Sequence, residues 1–191
     1  MPTERTHTVI AIDPGPETSG LVVCRTDEAM GDQVSRVITT NKAATIEDVR
    51  HAINKYSLDF KMGRALIAME RVSPGRSSWS LTRTSEVCGR ILEMVYQHSP
   101  EQTKKDFVMM TRAQVLRTLR VAGRASERDK LVRHALIGMH GGDRTNAIGK
   151  KSDPGPLYGV ASHAWAALAV AVAARIQRRE DRELSLRTPI D

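Results

Sequence analysis

Apolar runs of two different periods divide the chain. "TVIAID" carries an unbroken apolar run, Val9 to Ile12, that ends on Asp13. Consecutive apolar residues without alternation mark a strand covered on both faces. Pro14, Gly15, Pro16 and Gly20 are turn formers that close it. "SGLVVCRTD" and "QVSRVITT" read as second and third strands, so the chain is expected to open with an antiparallel meander. In "TIEDVRHAINKY" the period lengthens to that of a helix, with Ile46, Val49 and Ile53 on one face and Thr45 and Asp48 in capping-box spacing. "RALIAMERV" is a second continuous run, Ala65 to Met69, and it ends on Glu70. A strand, a crossover helix and another buried strand place the two runs parallel in one sheet. Their C-terminal ends then align, and Asp13 and Glu70 converge.

The segment "SPGRSSWSLTRTSE", residues 73–86, is hydroxyl-rich and basic, and is expected to line a phosphate-binding groove. It leads into a helix with Val87, Ile91, Leu92 and Val95 inward, then a short strand "DFVMMT" and a basic helix "RAQVLRTLR". "VAGRAS" precedes a further helix, where Ser126 and Asp129 again have capping-box spacing. Residues 140–159 read as a long loop, and loops of that length are often functional. The helix "VASHAWAALAVAVAARIQ" follows. One domain over residues 1–178 and a charged, mobile tail over 179–191 are expected.

Charge narrows the class of partner. The net charge of +7 and pI of about 9.8 point to a polyanion, either nucleic acid or an acidic membrane face. Cys24 and Cys88 have no spacing that suggests zinc or a disulfide framework, which favours a reducing, intracellular setting. "MPTERTHT" lacks the apolar stretch of a signal peptide, and the tract from Val160 to Ala174 is too short to span a bilayer and contains His163. A cytoplasmic protein of a bacterial or phage-infected cell, with no membrane partner and no organic cofactor, is the expectation.

An acid at a strand mouth needs a partner, because a buried carboxylate is costly unless hydrogen-bonded, paired or bound to a cation. For Asp13 the candidates are an Asx-turn cap on the following turn and a bound metal. The order of elements, together with "AIDPG", "AMERV" and "HAWAALAVAVAA", resembles the RuvC-type Holliday junction resolvases of the ribonuclease H-like superfamily. The loop "AIGKKSDPGPLYGV" looks closer to a phage-type branch of that group. The resemblance covers about residues 8 to 176. It implies an α/β fold, ribonuclease H-like, with a central mixed five-stranded sheet flanked by helices. It further implies a homodimer that nicks four-way DNA junctions symmetrically, with two Mg²⁺ ions roughly 4 Å apart, for which Mn²⁺ would substitute. Asp13 would bridge the metals and Glu70 would bind one.

The last helix departs from that pattern. The family carries two acids there, three residues apart, where this chain has His163 and Ala166. An imidazole can ligate metal or move a proton, although a half-buried core histidine is the plainer reading; alanine does neither. Asp129 is either a replacement carboxylate or the acidic half of a capping box. Arg76, Arg112, Arg117, Arg120, Arg124, Lys130, Lys150 and Lys151 are candidate phosphate contacts, each also readable as solvated surface charge. Trp79 would stack on an opened base or simply pack. Loss of the second acid also fits a junction-binding protein that does not cut. Actin-like sugar kinases share the Asp-x-Gly opening but need roughly twice this length.

Overall fold

In the computed structural model, residues 6–27, 33–72, 78–98 and 106–187 are described. The first apolar run forms β1 (Thr6–Asp13), followed by β2 (Ser19–Asp27) and β3 (Val34–Ala44). Next come α1 (Ile46–Lys55), the short α2 (Ser57–Lys61) and β4 (Ala65–Arg71). The chain continues through α3 (Trp79–His98), β5 (Phe107–Thr111) and α4 (Arg112–Thr118). A 3₁₀ turn at Ala125–Glu127 opens α5 (Arg128–Met139), and α6 (Arg144–Ala147) follows. A two-stranded hairpin, β6 (Gly149–Lys150) and β7 (Asp153–Pro154), precedes α7 (Ala164–Arg187).

The five-stranded sheet has the order β3-β2-β1-β4-β5. Its first three strands pair antiparallel, whereas β4 and β5 run parallel to β1. This is the expected mixed α/β sheet. The unbroken apolar runs are explained by cover on both faces. Ile10, Ile12, Leu21, Val23, Ile67 and Met69 pack with α1, α2 and α3, while Val9, Ala11, Val22, Cys24, Leu66 and Ala68 pack with α4, α5 and α7. In α7 every residue from Ala167 to Ala174 is wholly buried. Alanine and valine over two turns let that helix lie close against the sheet.

Several expectations need correction. Leu92 points outward at 37% exposure, and Cys88 and Met94 join Ile91 and Val95 on the inner face, because the stripe is centred on Ile91 and Val95 and leaves Leu92 at its edge. Of the hydroxyl-rich segment 73–86, residues 73–77 lie outside the described residues, and 79–86 form the first turns of α3, closed by Leu81 N–H donating to Ser78 Oγ. The loop at 140–159 holds α6 and the hairpin, tied to the body where Val37 N–H donates to the Pro156 carbonyl. The last helix starts at Ala164 rather than Val160 and runs on to Arg187, so a boundary at 178 falls inside it. Among the described residues no helix is long and apolar enough to cross a membrane.

Candidate active site

Parallel pairing sets the site. Ile12 sits opposite Met69 in the β1–β4 ladder, so the next residues, Asp13 and Glu70, leave the sheet side by side at the ends of adjacent strands. On the other side Asp13 pairs with Gly20 of β2. A Cβ at Gly20 would lie 2.4 Å from the His163 carbonyl oxygen, so glycine admits the turn before α7 to the edge of the sheet. Ser162 in that turn has φ +48°, a left-handed conformation uncommon outside glycine. His163 accepts from Ala166 and Ala167 backbone N–H groups and so caps α7 rather than riding on its face.

Asp13, Glu70, Arg112, Asp129, Ser162, His163 and Ala166 line one pocket of about 450 Å³, floored by Val132 and Trp165. Glu70 pairs with Met110 across the β4–β5 ladder, and Arg112 follows β5 directly. Its backbone is fixed by a capping box in which Thr111 N–H donates to Gln114 Oε1 at 2.8 Å and Gln114 N–H to Thr111 Oγ1 at 3.3 Å. The guanidinium spans the pocket: Nη1 lies 3.4 Å from Glu70 Oε2, and Nη2 bonds the Asp129 carboxylate. The expected Ser126–Asp129 capping box is absent, since α5 starts from Glu127 with no side-chain cap. Asp129 instead spends its carboxylate on Arg112.

Burial dominates the acids. It pushes Asp13 up to about 6, opposed by Arg112 and assisted by the Asp129 charge. It pushes Glu70 up to about 7, with the Asp13 carboxylate adding to the rise and Arg112 opposing it. One guanidinium therefore leaves this pair under-neutralised. Two hard-oxygen donors in that condition fit a divalent cation such as Mg²⁺. Among the described residues no group of three or more His, Cys, Asp or Glu is placed to hold a metal, so the pair offers two protein donors and would leave the rest of an ion's shell to water. His163 lines the pocket but is exposed, and Ala166 brings only a methyl.

The remaining candidates lie outside the pocket. Arg117, Arg120, Arg124, Lys130, Lys150 and Lys151 are all exposed. Lys130 lines a neighbouring groove of about 440 Å³ with Arg133, His134 and Arg144, and the two depressions share Asp129, Ser162 and Trp165. Arg133, held over the Trp165 ring at 5.0 Å, was not singled out by the sequence; its helical spacing from Asp129 and Lys130 was the available signal. Trp79 is 68% exposed, with the Arg83 guanidinium 5.8 Å from its ring. Arg76 lies outside the described residues.

No protein-family model and no curated protein matches the chain. Its fold is nevertheless that of solved RuvC structures. A Thermus thermophilus RuvC in complex with a Holliday junction substrate superposes with TM-score 0.56 at 19% identity, covering 91% of this chain and 96% of that one. A second T. thermophilus RuvC structure gives TM-score 0.56 at 17% identity over the same shares.

Proposed function

We propose that the chain is a divalent-metal-dependent endonuclease of branched DNA that resolves four-way junctions by paired nicks, acting as a homodimer. One observation carries the reading: Asp13 and Glu70 stand together, desolvated and under-neutralised, at the open ends of parallel strands. Phosphodiester hydrolysis needs such a site to hold a cation, which when bound makes water nucleophilic and polarises the phosphate. The residues around the pair would do the rest. Arg112 donates toward a phosphate oxygen, His163 is placed at the pocket lining to exchange a proton, and the exposed arginines and lysines hold the backbone. A junction has twofold symmetry, and a twofold dimer presents two such sites to it. The fold shared with a RuvC solved on a Holliday junction supports this substrate over linear duplex. The RuvC-like fold supports a cytoplasmic setting in a bacterial or phage-infected cell, and the "AIGKKSDPGPLYGV" segment supports the phage-type branch.

Ala166 favours a second reading, a junction-binding protein that holds DNA without cutting it. Cleavage of a synthetic four-way junction beside a linear duplex, in Mg²⁺ and in Mn²⁺, separates the two. Paired nicks by the wild type that vanish in Asp13→Asn, with binding retained, support the nuclease. Binding without nicks in either metal supports the second reading.

A further inference from the structure

The pocket holds a fixed cation of its own, and this bears on how the proposed cleavage reaction is charged. Arg112 is set by a capped helix start at the end of β5, is only 26% exposed, and reaches both Glu70 and Asp129. Ala166 leaves the α7 side of the pocket without a carboxylate. Three carboxylates and one guanidinium leave two negative charges, which a single divalent cation cancels. A second ion would find, among the described residues of the pocket, only the exposed His163 and an Asp129 carboxylate already paired with Arg112.

We infer that Arg112 supplies the second positive charge of the reaction, so that the site works with one divalent cation, at Asp13 and Glu70, in place of two. This inference rests on the nuclease reading above. In the step itself a water oxygen forms a bond to phosphorus while the bond to the leaving sugar oxygen breaks. The electron pair goes to that oxygen, which takes a proton from solvent, and the water proton leaves through His163 to solvent. Preorganised donors aimed at developing charge are worth most in a site that excludes water. A planar guanidinium with several N–H donors can serve the leaving oxygen and a non-bridging oxygen together.

Counting bound Mn²⁺ on the full chain, by the electron paramagnetic resonance signal of the free ion, tests this without relying on turnover. The expected count is one saturable ion per chain for the wild type and for Arg112→Gln. Combining Arg112→Gln with Ala166→Asp is expected to raise it to two. In parallel, junction cleavage should fall by about 10²-fold or more in Arg112→Gln, and recover in part in the double variant. Arg112→Lys keeps the charge but loses the planar fork. It should cut more slowly than the wild type with the count still at one, and it serves if the glutamine variant fails to fold. A wild type that cuts no branched DNA in either metal overturns the proposed function. Two ions or none on the wild type, or undiminished cutting by Arg112→Gln in an active enzyme, overturns the role of Arg112.

Discussion

Replacing Asp13 by asparagine should make the metal-free protein more stable at alkaline pH, which is the reverse of what most polar substitutions near a core do. Burial raises the Asp13 carboxyl from its ordinary 3.8 to about 6. The folded state therefore prefers the neutral acid: stability is complete below the unfolded value near 3.8 and is lost as pH rises through about 6. A rise of about two units at about 1.4 kcal/mol per unit sets a ceiling of roughly 3 kcal/mol on what ionisation costs the fold. Asparagine has the same shape without the charge. It also relieves Glu70, whose carboxyl is raised in part by Asp13. In a chain of this size such a gain corresponds to about 5–10 °C in melting temperature. The assay is thermal unfolding followed by circular dichroism in a chelator, at pH 4 and at pH 8. Asp13→Asn should melt higher at pH 8, and the two proteins should coincide near pH 4. Adding Mn²⁺ at pH 8 should raise the wild type and leave the variant unmoved, since a ligand stabilises only the fold that binds it. An Asp13→Asn protein that melts at or below the wild type at pH 8 in chelator would refute the picture of a desolvated, under-neutralised carboxylate.

Three other outcomes test the surroundings. Gly20→Ala places a Cβ 2.4 Å from the His163 carbonyl oxygen, so it should displace the turn before α7 and lower cleavage and Mn²⁺ affinity together, measured by nicking rate and ion titration. His140 Nε2 accepts from Val34 N–H at 2.8 Å while its Nδ1 meets the Leu136 carbonyl at 2.7 Å, which requires the neutral ring. Burial pulls its pKa below the ordinary 6.5, so this stabilisation is present above that value and is lost as pH falls through the folded one. His140→Ala leaves the buried Val34 N–H without its acceptor and should cost about 1–3 kcal/mol in urea unfolding at pH 8. Junction binding should weaken steeply with salt, and Lys130→Ala, on the groove beside the pocket, should reduce the slope of log K against log salt by about 1 in a titration of fluorescent junction.

The sheet and its two acids were legible because both depend on local signals. Unbroken apolar runs fixed β1 and β4 as double-faced strands, the crossover through α1 made them parallel, and the next residue in each register is the acid. The Thr45–Asp48 capping box was readable for the same reason, since all its atoms lie within one turn. The Ser126–Asp129 spacing was identical on paper and failed, because a 3₁₀ turn at Ala125–Glu127 takes up Ser126 and makes Glu127 the N-cap, which leaves the Asp129 carboxylate to Arg112. Leu92 failed more simply: Met94, three residues after Ile91 and six after Cys88, fills the inner stripe that Leu92 was expected to share.

Arg112 shows what kind of information sequence patterns leave out. In the chain it is one of many basic residues, and reading it as a surface phosphate contact follows from composition alone. Its placement comes from two facts that act together, the β4–β5 register that sets Met110 beside Glu70 and the Thr111–Gln114 box that starts a helix at the next residue. The register brings the arginine to the acids, and the box stops its backbone from fraying away. Ala166 takes its meaning from the same geometry. An alanine on a buried helix is ordinarily packing, as its neighbours Ala167, Ala169 and Ala171 are, but Ala166 faces the pocket they do not reach. The absence of a carboxylate on the α7 side of the pocket and the guanidinium at the end of β5 act on the charge of the pocket in the same direction. On the proposal above such a site would demand fewer bound cations rather than weaker chemistry, and the count of ions on the intact chain is the quantity that distinguishes these.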